Sequence, residues 1–306
     1  NLSRDIRELE DEIGFSIFTR SSRGVIPTDK GREFLQLAKK AVRQYQALEH
    51  FCAKEEHGSL SLQVCVPKAG YIHAAFSSFL TKHAKGRTLS VDYRETGTMD
   101  AIRDVCLHSA SLAIIRFSDR YERSLLSLLK RKELAGEVIC RFEPLAVMSE
   151  RHPLAGTSVL TADMLEQSVE VLCEDTSLAD YLNEPAEPEH FPSVIRLHEG
   201  SGLPGLLSHL TSAFAFAPPL PESVLKDYHL VQKKCQATRS GLNSHGGQNA
   251  HGGPNIHGAA CLPGKMTDLL IYPEDARLTR AENAFLEAVR QAAPAMQGDR
   301  SSRSGD

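Results

Sequence analysis

No stretch of the 306 residues is apolar for the eighteen or so positions that a membrane-spanning helix needs. The chain has no P-loop, GxGxxG, GxSxG or HExxH pattern, so the residues that build the commonest nucleotide-binding and hydrolytic sites are missing and an enzyme is not expected. It has no CxxC pair. Its seven cysteines (Cys52, Cys65, Cys106, Cys140, Cys173, Cys235, Cys261) form an odd, scattered set. That argues against a disulfide framework and for reduced thiols in a cytoplasmic protein. Several sit in apolar, strand-like runs, where a buried structural thiol is the default and a redox sensor the alternative. Excess positive charge is also lacking: 35 Lys and Arg against 39 Asp and Glu give a net charge of −4. The whole protein is therefore no basic coat for nucleic acid, and any DNA contact must come from a local patch. No secretory leader is legible.

What is present begins at once. Leu2, Ile6, Leu9 and Ile13 fall at i, i+4, i+7 and i+11, one stripe of a 3.6-residue period. Gly14 follows and can end a helix in the left-handed conformation. Ile17 and Phe18, then Val25 and Ile26, flank Ser21-Ser22-Arg23-Gly24, which suits two short strands around a tight turn. Thr28 is placed to cap a further helix. Helix, wing and helix in this order make the back half of a winged helix-turn-helix.

Leu2-Ser3-Arg4, Ile6, Leu9-Glu10, Gly14, Phe18, Arg20, Thr28 and Gly31 resemble, in order and spacing, the LysR-type transcriptional regulators. The resemblance covers residues 1–235 and 266–292. It implies that the first helix is the recognition helix, that two helices precede it, and that a chain opening on Asn1 is truncated. Recognition helices put their N-terminal side chains into the major groove. Asn1, Ser3, Arg4 and Arg7 are then the DNA-reading candidates, with Arg20 and Arg23 on the wing reaching phosphate or the minor groove. The competing reading is a solvated face, since Asp5, Glu8, Glu10, Asp11 and Glu12 dilute the positive charge.

Leu35, Ala38, Val42, Tyr45, Leu48 and Cys52 keep steps of three and four. So narrow a stripe suits a helix paired with its own copy; packing on its own domain is the alternative. The resemblance implies a linker helix of a homodimer or homotetramer. Alternating strands and helices follow. Strands are expected at 60–66, 89–93, 112–117, 144–149, 169–173, 194–198 and 268–272. Helices are expected after residue 70 to about 83, at 99–108, 161–167, 177–183, 202–212, in a short piece ending near 228, and at 279–292. The β-α-β-α-β order predicts an α/β fold with parallel, doubly wound sheets. The domains read as a partial winged helix-turn-helix (1–30), a linker helix (31–56) and a first effector subdomain (59–143 and 266–292). A second subdomain (144–235), a His/Gly-rich insert (236–265) and a disordered tail (293–306) complete the chain. With the resemblance, this is a two-lobed, periplasmic-binding-protein-like effector domain.

Ligands of such sheets bind at the carboxyl ends of strands. The effector-binding candidates are Lys68, Ala69, Thr96, Thr98, Arg116 and Phe117 from one lobe, with Asp175, Thr176 and Ser201 from the other. Lys68 and Arg116 could supply charge, whereas Glu174, Asp175 and Glu199 would repel an anion. Two departures from the family pattern bear on the pocket. Leu112 stands where an aspartate usually opens the third strand, and Leu210–Pro219 lacks the usual glycines. In the insert, His245, His251 and His257 recur every six residues. Its composition predicts a flexible loop; the alternative is a Zn²⁺, Ni²⁺ or Cu²⁺ site with Cys261 nearby. No cofactor and no resident metal are expected.

The leading expectation is a cytoplasmic regulator whose partners are promoter DNA, a small-molecule effector of unknown identity and its own copies. The alternative is a small-molecule-binding protein with a non-functional DNA-binding head. An enzyme on an α/β fold is the third reading.

Overall fold

The structure is a computed structural model. It describes residues 2–21, 24–35, 37–38, 41–42, 45, 59–173, 177–183, 191–197, 202–237 and 262–294. The chain forms two compact units, Asn1–Ser59 and Leu60–Asp306.

In the first unit α1 (Leu2–Ile13) leads into β1 (Phe18–Ser21) and β2 (Gly24–Pro27), which pair antiparallel with Phe18 opposite Pro27 and Ser21 opposite Gly24. A second helix, α2, starts at Asp29 and is described over 29–35, 37–38, 41–42 and 45. Three devices join helix to wing. Glu10 turns inward, and its Oε1 accepts the backbone N–H groups of Ile17 (2.6 Å) and Phe18 (2.9 Å). Gly14 ends α1 at φ +75°, a conformation that disfavours residues with a side chain. Thr28 caps α2: its Oγ1 accepts the Gly31 N–H at 2.8 Å and donates to the Ser16 carbonyl at 2.7 Å. At Gly31 a Cβ would stand 2.0 Å from the Ile17 carbonyl oxygen, so α2 and the wing meet at a distance that requires glycine here. Of the expected linker seam, Leu35, Ala38, Val42 and Tyr45 are helical, while Leu48 and Cys52 lie outside the described residues.

The second unit has two lobes. In lobe I the sheet order is β4 (Thr88–Glu95), β3 (Ser59–Val66), β5 (Leu112–Ser118), β14 (Met266–Pro273) and β6 (Leu134–Phe142). The helices α3 (Gly70–His83), α4 (Thr98–Cys106), α5 (Glu122–Arg131) and α10 (Arg280–Ala292) cover it. Side chains alternate across this sheet. Leu60, Leu62, Val64 and Val66 of β3, with Leu112 and Ile114 of β5, pack under α3 and α10. Cys65, Ala113, Ile115 and Phe117 pack under α4 and α5. Burial on both faces explains why these strands read as continuous apolar runs. A capping box between Thr279 and Glu282 starts α10.

In lobe II the order is β10 (Val194–Arg196), β9 (Val169–Leu172), β11 (Ala213–Ala217), β7 (Leu145–Ser149) and β12 (Leu230–Lys233). Its helices are α6 (Ala162–Leu165), α7 (Ser177–Leu182), α8 (Leu203–His209) and α9 (Glu222–Asp227), and a small parallel pair joins β8 (Leu160–Thr161) to β13 (Cys235–Gln236).

The expectation of parallel sheets needs correction: both sheets are mixed. β3 and β5 run parallel, as do β9 with β10 and β11. The strands flanking the passages between lobes run the other way. β14 is antiparallel to β5 and β6, and β7 is antiparallel to β11 and β12. A chain that leaves one sheet and later re-enters it from the far lobe arrives reversed, and parallel order is lost there. The helix α5 and the strands β6, β8, β11, β12 and β13 were not expected. Nothing of the His/Gly repeat lies within the described residues.

After β7 the chain turns through His152, which is 4 % exposed. Its Nδ1 accepts the Leu154 N–H at 3.0 Å, so the ring proton sits on Nε2. Burial lowers its pKa below the ordinary 6.5, because a charged imidazole would be desolvated and would turn an N–H donor towards the Leu154 N–H. The unfolded chain therefore takes up the proton first as pH falls. The contribution of neutral His152 is complete above 6.5 and is lost as pH drops from 6.5 through the lower folded value. Thermal unfolding between about pH 7.5 and 5.5 should show this loss, and His152→Asn, which keeps an acceptor without titrating, should flatten the profile. An equally steep profile in the variant would place the titration elsewhere.

Candidate functional site

Lobe I offers its strand ends towards lobe II. Lys68 is half-buried and Ala69 buried in the turn between β3 and α3. At Gly70 a Cβ would lie 3.3 Å from both Leu220 Cδ2 and Pro221 Cδ, so the second lobe approaches the start of α3 closely. The Cys173 thiol, at the end of β9, has its pKa raised by partial loss of hydration, partly offset by the positive charge of Lys68 in lobe I, although the residue as a whole is exposed. Leu178 and Ala179 of α7 are buried in the core cluster beneath α4 and α5. The lobes thus approach each other at the start of α3 and where α7 packs below α4.

Beneath these contacts lies a buried polar network. Arg116 Nε and Nη2 each donate to Asp268 at 2.7 Å, one to each carboxylate oxygen, and Nη1 donates to the Lys68 carbonyl at 3.0 Å. The Tyr71 hydroxyl also donates to Asp268 and lies 3.6 Å from Cys140 Sγ. The guanidinium carbon stands 5.1 Å from the Phe142 ring centre. Thr98 Oγ1 donates to the Arg116 carbonyl at 2.7 Å. Asp268 is fully buried and the Arg116 side chain is 13 % exposed. Burial alone would weaken the guanidinium's hold on its proton, yet Asp268 overrides it and the Arg116 pKa is raised. The Tyr71 hydroxyl is raised well above its usual range by burial, then by the Asp268 charge. Burial pushes Cys140 up to about 11, with Asp268 adding to it.

Alternation on β5 separates two of the candidates. Arg116 faces Asp268 under α3, whereas Phe117, 2 % exposed, belongs to the core under α4 and α5. Phe117 is thus corrected from pocket residue to core residue. Arg116 is corrected from free charge to a charge engaged by a carboxylate. Thr98 is 4 % exposed with its hydroxyl directed at the backbone. Thr96 is half-buried, and its hydroxyl has no hydrogen-bond partner among the described residues. Lys68 and Ala69 remain at the rim. Glu174, Asp175, Thr176, Glu199 and Ser201 lie outside the described residues, and the Ser177 side chain is not described. Leu112 is completely buried in the lobe I core. Sequence reasoning missed Asp268, Tyr71 and Cys140. The available signal was an aspartate at the head of the apolar run Asp268-Leu-Leu-Ile-Tyr272.

In the first unit Ser3, Arg4 and Arg7 are exposed on α1, and Arg4, Arg7, Glu8, Asp11 and Glu12 line one shallow depression. Glu10, engaged with the wing, does not oppose the arginines as the others do. Asn1 and Arg23 lie outside the described residues. Arg20 is on β1, and its side chain is not described. Among the described residues no group of three or more His, Cys, Asp or Glu side chains is arranged to hold a metal ion. None of their helices is long and apolar enough to cross a membrane.

No family model matches the chain. It is 37% identical over 86 residues to the uncharacterized HTH-type transcriptional regulator YxjO of Bacillus subtilis, covering 27% of this chain and 30% of that protein. It is 30% identical over 118 residues to the HTH-type transcriptional regulator IlvY of Escherichia coli, covering 37% of this chain and 38% of that one. The chain therefore spans about a third of the length of these curated relatives. A full-length OxyR variant from Pseudomonas aeruginosa superposes with a TM-score of 0.55 at 15% identity, over 95% of this chain and 86% of that one. That likeness is one of fold: a two-lobed α/β unit that follows a helix-and-wing unit in the chain. In sequence and in fold the chain resembles LysR-type regulators, and the relatives' names describe regulators, not enzymes.

Replacing Asp268 by Asn leaves a buried guanidinium without its counter-charge and should cost roughly 3–5 kcal/mol in urea unfolding. The double change Arg116→Met with Asp268→Leu should cost much less. A loss below about 1 kcal/mol for Asp268→Asn would show that the pair does not support lobe I.

Proposed function

We propose that this protein is a LysR-type, ligand-responsive transcriptional regulator that acts in the cytoplasm on double-stranded promoter DNA. One observation carries the reading: a helix-and-wing unit held by Glu10, Thr28 and Gly31 shares its chain with a two-lobed α/β unit. In this reading α1 enters the major groove. Ser3, Arg4 and Arg7, with Asn1 ahead of them, read base edges, and Arg20 and Arg23 hold the backbone. A small molecule bound between the lobes shifts their relative population of open and closed arrangements and so alters DNA binding. Lys68 and Ala69 offer the lobe I contacts, with Asp175, Thr176 and Ser201 opposite. Self-association accords with Val42 and Tyr45 of α2, which are apolar positions 48 % and 61 % exposed in the single chain.

A binding protein with an inactive head is the second reading. The acidic residues sharing the depression with Arg4 and Arg7 favour it. Titrating the intact protein with its own upstream DNA and with a scrambled duplex, at one stated salt concentration, separates the two. The regulator should prefer its own site, and Arg4→Ala should lose about 1–3 kcal/mol of that preference. Equal affinity for both duplexes would leave the second reading standing. For the sensor, a thermal-shift screen of small carboxylates and aromatics should yield a compound that stabilises the protein, by about 2.7 kcal/mol at a hundredfold excess over Kd. Lys68→Ala should weaken that response; an unaltered response would remove Lys68 from the pocket.

A further inference from the structure

The segment from Arg120 to Lys132 is strongly basic in a chain whose net charge is negative. It carries Arg120, Arg123, Lys130, Arg131 and Lys132, and all five are exposed. Leu125, Leu128 and Leu129 of α5 are buried in lobe I. On the opposite face Arg123, Leu126, Ser127 and Lys130 fall at i, i+3, i+4 and i+7, in register on one side of the helix. Arg131 and Lys132 extend the charge past its end. The acidic residues that open the segment do not neutralise it, because they turn to another cation. Glu122 holds Arg141 in a bidentate pair at 2.7 and 3.1 Å, and Asp119 accepts from Thr267 while lying 3.7 Å from Arg141. Among the described residues, Arg123, Lys130, Arg131 and Lys132 form no ion pair with a carboxylate.

Helix stability accounts for part of this pattern. Cations in the last turn complement the helix dipole, so Lys130 and Arg131 would be favoured there in any case. The same effect opposes Arg123 in the first turn and Arg120 in the 3-10 turn just ahead of it. The helix dipole accounts for neither cation, and of the two Arg120 lies 5.1 Å from the Tyr121 ring centre. We infer that the exposed face of α5 is a second, sequence-independent contact for the phosphate backbone of DNA. Spread over about 15 Å of helix, the charges face a duplex that carries one negative charge per about 1.7 Å. Arginine and lysine are the side chains that hold phosphates, by forked hydrogen bonds and as point charges. The choice of DNA as occupant rests on the regulator reading; the charge and exposure of the face do not.

The test uses the intact protein and a duplex of arbitrary sequence, with affinity followed by fluorescence anisotropy between about 50 and 200 mM salt. In one variant Arg123, Lys130, Arg131 and Lys132 are each changed to Gln. In a control, Lys82, Lys85 and Arg87, exposed elsewhere on lobe I, are changed to Gln. The α5 variant should bind at least tenfold more weakly at the lowest salt, with its salt slope shallower by about 0.9 for each phosphate it no longer neutralises. Its melting temperature should match the wild type. An unchanged slope, or an equal loss in the control, overturns the inference. So does a variant that keeps duplex affinity but loses binding to polyglutamate, which would assign the face to an acidic protein. Sequence preference is read separately, with the protein's own upstream DNA. A head that reads no sequence therefore leaves this comparison intact, and a failed α5 contact leaves the preference intact.

Discussion

The ion pair between Arg116 and Asp268 is the constraint on which lobe I depends. The two residues lie 152 positions apart, on strands made before and after the whole of lobe II. Both charges leave water, a cost of several kcal/mol per ion that is recovered only with good geometry and full hydrogen bonding. The pair meets that condition: two parallel hydrogen bonds at 2.7 Å, a third acceptor for Arg116 at the Lys68 carbonyl, and a hydroxyl from Tyr71 on the carboxylate. A slip of β14 by one residue would send Asp268 into the apolar core under α4 and α5 and strand the guanidinium. The pair thus fixes the register on which the second sheet's return depends. It also links that return to the turn carrying Lys68, so the floor and the rim of the interlobe line share one set of hydrogen bonds.

That geometry limits what lies between the lobes. Arg116 looked in sequence like a cation for an effector, but its charge is already balanced by Asp268. Lys68 is half-buried in the turn beside the pair, and its carbonyl accepts from Arg116. Burial of Leu178 and Ala179 in the lobe I core adds a mechanical consequence. Any opening of the lobes must move α7 with lobe I or uncover apolar surface, at a cost of about 25 cal/mol for each Å² exposed.

Legibility in sequence followed burial. β3 and β5 were evident because both their faces are apolar, and α10 because its stripe starts at a capping box. Direction was not legible: periodicity marks a strand but carries nothing about what runs beside it, so the reversed strands β7 and β14 passed as members of parallel sheets. α5 and β6 were missed for local reasons. Ser118 and Asp119 ahead of α5 read only as the end of β5, and Gly136 and Glu137, exposed on the edge strand β6, break its alternation. β11, Ala-Phe-Ala-Phe-Ala, has strand chemistry but reads in sequence as a lead-in to Pro218 and Pro219. Asp268 shows in sequence only as the start of a strand. A partner 152 residues away leaves no mark in any local window.

The helix-and-wing unit was more legible than the two-lobed unit, and its geometry says why. Glu10, Gly14, Thr28 and Gly31, which carried much of the family resemblance, all act at the joint between helix and wing: a carboxylate on two backbone N–H groups, a left-handed stop, a cap and a contact too close for a side chain. The pattern therefore records how the wing is set on the helix. The residues proposed to read DNA do no such work. Ser3, Arg4 and Arg7 are exposed and can change without disturbing the joint. A signature of this kind identifies a scaffold and is silent on its target. The thiols give the same lesson in reverse. Cys65, Cys140 and Cys235 could be counted but not judged from sequence. Buried, each with its pKa raised to about 11, they hold only about one thiolate in ten thousand at neutral pH. Burial thus makes these three thiols parts of the core.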